Sequence, residues 1–172
     1  DVILVSGSLG DHGMAIMSVR EGLEFETNIL SDSAPLNGLV AAMLQACPDI
    51  RVLRDPTRGG LASTLNEIAA ASNCGLVIEE ALLPIRPQVQ SACELLGLEP
   101  LQVANEGKLV CIAPATSAPS LLAAMRSSPE GEDSAVIGTV VAEHPRMVVA
   151  KTAVGASRVI PLPIGEHLPR IC

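Results

Sequence analysis

The residues best suited to chemistry fall in four places. At the carboxyl end, Pro169-Arg170-Ile171-Cys172 puts a thiol and a free carboxylate on one residue. A thiolate is both nucleophile and group carrier, and chain ends fray unless something ties them down. Residues 162–169, Leu-Pro-Ile-Gly-Glu-His-Leu-Pro, have neither helical nor strand period, so a flexible tail is predicted over residues 162–172. About ten extended residues reach roughly 30 Å, enough to carry a sulfur-bound group between two sites. The plainer reading is an ordinary free cysteine, since reactivity follows environment.

The second and third places are glycine loops, Gly7-Ser8-Leu9-Gly10-Asp11-His12-Gly13 and Asp55-Pro56-Thr57-Arg58-Gly59-Gly60. Glycines let backbone turn sharply and approach a ligand, but neither loop has the GxGxxG pattern or the lysine-bearing phosphate pattern. Asp11 and His12 either polarise a substrate or are simply turn residues. In the later loop, two backbone N–H groups beside Gly59 and Gly60, a helix N-terminus and the Arg58 guanidinium would make an anion cradle. Its competitor has Asp55 and Thr57 capping the helix while the glycines permit close packing. The fourth place is Glu106, in Ala104-Asn105-Glu106-Gly107-Lys108, a turn carboxylate just before an apolar strand.

Regular elements must position these groups. Strands are predicted at residues 2–6, 50–54, 76–79 and 109–113, and a hairpin at residues 135–140 and 146–150. Helices are predicted at residues 14–20 and 61–69, at residues 36–47 with Ser33 as N-cap, and at residues 88–96 stopped by Gly97; another starts at Ser117 or Ser120. Arg158-Val159-Ile160 makes a last short strand. Each glycine loop thus joins a strand to a helix, a pattern that also allows a parallel, doubly wound sheet.

At 172 residues the chain suits one domain. Because it opens on Asp1, the expectation is that it is part of a longer protein, with more of the site upstream. Aromatic residues are 1 % of the chain and the net charge is -8. Neither base stacking nor phosphate neutralisation is served, which excludes a nucleic-acid partner. No run approaches the ~18 apolar residues of a membrane span, and no leader is visible. Of the cysteines, Cys47, Cys74, Cys93 and Cys111 lie in apolar patterns and suit a core in a reducing compartment. Cys172 remains. Its neighbouring carboxylate and Arg170 act oppositely, each by about 1 kcal/mol near water, so an ordinary thiol is expected until a partner binds.

Together, Ser6 to Gly13, Arg54 to Ala62, Ala104 to Lys108, Ile137-Gly138 and the terminal Pro-Arg-Ile-Cys resemble the HypE family of hydrogenase maturation proteins. That family lies in the group of aminoimidazole ribonucleotide synthetase, selenophosphate synthetase and thiamin-monophosphate kinase. The resemblance implies an α+β domain over residues 1–161, with a mixed, mainly antiparallel sheet covered by helices. It also implies an absent amino-terminal domain that binds most of the ATP and Mg2+ and forms a homodimer. The implied activity is that of a cytoplasmic carbamoyl dehydratase. The carbamoyltransferase HypF loads Cys172, ATP drives dehydration to a thiocyanate, and cyanide passes through a HypC-HypD scaffold to the iron of a nickel-iron hydrogenase. By the same resemblance Glu106 is the base, and Asp55, Thr57, Arg58, Gly59, Gly60, Asp11 and His12 face the nucleotide; no metal ligand is assigned to this chain. Two other readings stay open: a non-catalytic carrier and docking module, and an ATP-dependent kinase or synthetase of a small metabolite.

Overall fold

The structure, a computed structural model, describes residues 1–21 and 29–163. Seven strands form one sheet: β1 (Val2–Val5), β2 (Val52–Arg54), β3 (Gly75–Glu79), β4 (Val110–Ala113), β5 (Ala135–Val141), β6 (Val148–Lys151) and β7 (Ser157–Ile160), in the order β2-β4-β1-β5-β3-β6-β7. Every neighbouring pair is antiparallel except β3 and β6. The α+β expectation holds, and the doubly wound alternative fails on these pairings.

Side chains alternate across a strand, and β1 is buried on both sides. Ile3 and Val5 enter one apolar cluster with Val110 and Ile112 of β4; Val2 and Leu4 enter the opposite one with Cys111 and Ala113. Helix α3 (Gly60–Ser72) covers the first face with Leu61, Leu65 and Ile68. Helices α2 (Asn37–Ala46) and α5 (Ala118–Met125) cover the second with Leu39, Met43, Leu121 and Met125. A third cluster joins α1 (Asp11–Glu21) to α4 (Pro87–Leu96) through Met14, Met17, Val89 and Cys93, with Val103 between them. Cys47, Cys93 and Cys111 are buried and Cys74 half-buried. Burial pushes the Cys93 thiol up to about 11 and the Cys111 thiol up to about 12, so both are inert apolar residues at neutral pH.

Three local expectations are corrected. The segments 135–141 and 148–151 are not a hairpin: β3 lies between them, antiparallel to β5 and parallel to β6, and the antiparallel partner of β6 is β7. Helix α2 starts after Leu36, without a side-chain cap, so Ser33 does not cap it. Helix α1 begins at Asp11 rather than Met14, directly after Gly10 in a left-handed conformation with φ 85°. The helix stop at Gly97, φ 67°, is as predicted. The predicted tail from residue 164 onward, Cys172 included, lies outside the described residues.

Candidate functional site

The two glycine loops and the turn bearing Glu106 converge, and the side chain that joins them is Asn105. Its Oδ1 accepts the Gly10 N–H at 2.7 Å, while Nδ2 donates to the carbonyls of Pro56 at 3.1 Å and Val103 at 3.0 Å. The Asn105 backbone N–H also donates to Pro56, and the Gly13 N–H donates to the Ala104 carbonyl. Asn105 is 1 % exposed, so each of these groups would be costly to leave unpaired. Ser6 adds another tie: its Oγ accepts the Leu109 N–H at 3.0 Å and its own N–H donates to the Leu109 carbonyl.

The first loop leaves the interior strand β1 and is buried from Ser6 to Asp11. Asp11, at the start of α1, faces Arg86, with 3.6 Å between Oδ1 and Nη1. Its Oδ2 is buried without a hydrogen-bond partner among the described residues. Burial raises the Asp11 carboxyl above its ordinary value, and a hydrogen bond from Ser8 and the nearby Arg86 only partly offset this. Next to it, His12 Nδ1 is 2.8 Å from Ser31 Oγ. The adjoining cavity, about 240 Å³, is lined by Gly7, Ser8, Asp32, Arg86, Lys108 and Asp133, among others. Lys108 is 7 % exposed and pairs with Asp32. A buried ammonium is retained when a carboxylate compensates it.

The second loop follows the edge strand β2 and stands open. Asp55 and Arg58 are exposed, and Thr57 is half-buried. Among the described residues no ion pair holds Arg58, whereas Arg54 beside it pairs with Glu67 at 2.7 Å. The N-cap of α3 is Gly59, φ 74°, with no side-chain cap, so neither Asp55 nor Thr57 caps the helix. Gly60 has φ 60°, and a Cβ there would lie 2.5 Å from the carbonyl oxygens of Leu101 and Val103. Close packing is therefore what Gly60 is for. Its N–H donates to the Thr57 carbonyl at 3.0 Å, which engages one of the two donors expected for the anion cradle. What remains for an anion is the first turn of α3 and the exposed Arg58.

Glu106 is half-buried immediately after Asn105. Gly107 follows with φ 70°, and a Cβ on it would run into the backbone of Asp32 to Ala34. The carboxylate thus sits on a turn fixed from both sides. Sequence reading missed Asn105, Arg86, Asp32 and Lys108. The available signal was a polar stretch, Asn105, Glu106 and Lys108, set between the apolar residues Val103-Ala104 and the run from Leu109 to Ala113.

With this geometry in place, the comparisons with known proteins are informative. The chain belongs to the family described as AIR synthase related protein, C-terminal domain, which matches residues 1–150. Within it, the chain is similar to carbamoyl dehydratase HypE of Azotobacter vinelandii, 58 % identical over 172 residues that make up 100 % of this chain and 50 % of that protein. It is also similar to a crystal structure of the hydrogenase maturation protein HypE in complex with ATP, with 48 % identity and TM-score 0.92 over 99 % of this chain and 52 % of that one. A HypE-HypF complex matches at 45 % identity and TM-score 0.90 over 94 % of this chain and 52 % of that one. The chain therefore spans about half the length of the curated relatives it matches. The resemblance read from the motifs is borne out.

Proposed function

We propose that this chain is the carboxyl-terminal half of an ATP-dependent carbamoyl dehydratase of hydrogenase maturation. Residues 1–161 serve as its α+β domain, and residues 162–172 carry Cys172. The single observation that carries the reading is the convergence on Asn105 of the three motif loops, in a chain 58 % identical to a protein named carbamoyl dehydratase.

In this reading Cys172 carries a carbamoyl group as the thioester-like S–C(=O)–NH2. ATP supplies the phosphoryl group that makes the carbonyl oxygen a leaving group. Glu106 takes one amide proton as the oxygen is phosphorylated and ADP leaves, releases it to solvent, and takes the second as the C–O bond breaks and the nitrile forms, giving S–C≡N and phosphate. Arg58 and the first turn of α3 suit phosphate oxygens. Asp55, Thr57, Gly59 and Gly60 shape that edge, and Asp11 and His12 line the inner end. Among the described residues no three His, Cys, Asp or Glu side chains gather to hold a metal ion. In this reading, as the family resemblance implies, Mg2+ would be held mainly by the amino-terminal half, and no step here runs through it. Among those residues, too, no helix is long and apolar enough to cross a membrane.

The HypE-HypF complex supports a carbamoyltransferase of that kind as the donor that loads Cys172. Delivery of cyanide through HypC-HypD to hydrogenase iron, homodimer formation through the amino-terminal half, and a cytoplasmic site complete the proposal.

The test is Glu106→Gln in the full-length protein, followed by intact mass. The parent should gain about 43 Da on Cys172 with carbamoyl donor and fall to about 25 Da when ATP is added, as covalent carriage requires. The variant should load and stop at the heavier species. Full conversion by Glu106→Gln would remove Glu106 from the mechanism, and an unmodified Cys172 beside an active donor would sink the reading.

A further inference from the structure

Glu106 needs a defined position relative to both glycine loops, and among the described residues its side chain makes no hydrogen bond or ion pair that supplies one. Asn105 supplies it. The carboxamide has one acceptor and two donors in use, each on a different segment: Gly10 on the loop after β1, Pro56 on the loop after β2, and Val103 on its own turn. Its backbone N–H adds a second bond to Pro56 at 3.2 Å. No other residue type of this size offers an acceptor and two N–H donors in one plane. A carboxylate of equal shape would set an oxygen against the Pro56 and Val103 carbonyls and keep only the Gly10 bond. Gly60 closes the other side of the same turn by packing on the Leu101 and Val103 carbonyls.

We propose that Asn105 is a positioning residue for the reaction: its carboxamide locks the Glu106 turn in register with the Gly10 and Pro56 loops, so that the carboxylate meets a substrate held between them. The inference rests on the dehydratase reading. Asn105 bonds only to protein groups, so its loss should slow the proton transfer more than it weakens nucleotide binding, because misplacement by about 1 Å can cost on the order of 100-fold.

The experiment compares Asn105→Asp and Asn105→Ser with Glu106→Gln in the full-length protein, after circular dichroism confirms that each is folded. Dehydration kcat of carbamoyl-loaded protein should fall on the order of 100-fold in both Asn105 variants, with a smaller rise in KM for ATP. The serine variant removes the amide donors without adding charge, so it stands in if the aspartate variant does not fold. Parental kcat in a folded Asn105 variant, beside an inactive Glu106→Gln, overturns the positioning role alone. A rise in KM with kcat retained overturns it as well, by making Asn105 a binding residue. Dehydration retained in Glu106→Gln is a failure of the underlying reading instead, and is distinguished by that control.

Discussion

The two glycine loops share one sequence grammar, strand then glycines then helix, yet they end in opposite environments. The loop at residues 6–13 is buried, holds a carboxyl whose proton affinity is raised, and meets Arg86. The loop at residues 55–60 leaves Asp55 and Arg58 in solvent. The difference lies in the strands they follow: β1 is flanked by β4 and β5, whereas β2 is the edge of the sheet. A loop leaving an interior strand inherits neighbours on both sides; one leaving an edge strand has them on one side only. Local composition does not encode that distinction. It teaches that the first loop is held in shape from both sides and the second is left open on one.

Gly60→Ala is the harshest way to break this comparison, because it attacks a buried point of the otherwise open loop. A left-handed backbone and overlap with two carbonyl oxygens should cost about 3 kcal/mol or more, read from urea unfolding. Tolerance below about 1 kcal/mol would show that the turn gives way and that the Gly60 packing is loose.

Asp11→Asn sharpens the comparison through pH. The folded Asp11 carboxyl titrates above its ordinary 3.8 because burial penalises the anion. The folded state therefore binds the proton more tightly than the unfolded one. This group's contribution to stability is fully present below the unfolded value and is lost as pH rises through the raised folded value. Relative to Asp11→Asn, the parent should gain stability as pH falls from neutral toward 4, in paired denaturant titrations. A difference that is flat or opposite in sign would mean that Arg86 holds Asp11 ionised.

The smallest expected effect on the fold comes from Arg58→Ala. An exposed side chain without an ion pair among the described residues should change stability by no more than about 0.5 kcal/mol. Nucleotide affinity of the full-length protein should nevertheless weaken roughly tenfold, the value of one charge-assisted contact. Unchanged affinity would reduce the second loop to a packing device and collapse the contrast between the loops.

Much of this architecture was legible before any coordinates. The period of Val89, Ala92, Cys93 and Leu96 and the stop at Gly97 defined α4, and the buried strands showed as short β-branched runs. What escaped was set by partners distant in sequence. The run from Ala135 and the run from Val148 look like a hairpin because a short turn separates them, but β3, some sixty residues earlier, takes the place between them. The motif loops could be read as chemically important, and their convergence could not, since it depends on one asparagine reaching residues 95 and 49 positions away. Ser33 failed as a cap because the chain runs on in a non-helical path to Leu36 before α2 begins.

The place of β1 in the sheet also governs how the chain is born. Val2 pairs with Ala113 on one side and Thr139 on the other. At roughly 5–20 residues per second, ribosomal synthesis leaves β1 waiting on the order of ten seconds for its first partner. Throughout that interval Val2-Ile3-Leu4-Val5 is a wholly apolar strand with both hydrogen-bonding edges open, the kind of segment that pairs with whatever strand arrives first. Such non-local pairing also places refolding toward the slow end, about milliseconds to seconds. The feature that buries the first glycine loop so completely thus leaves its supporting strand in need of shelter on the nascent chain.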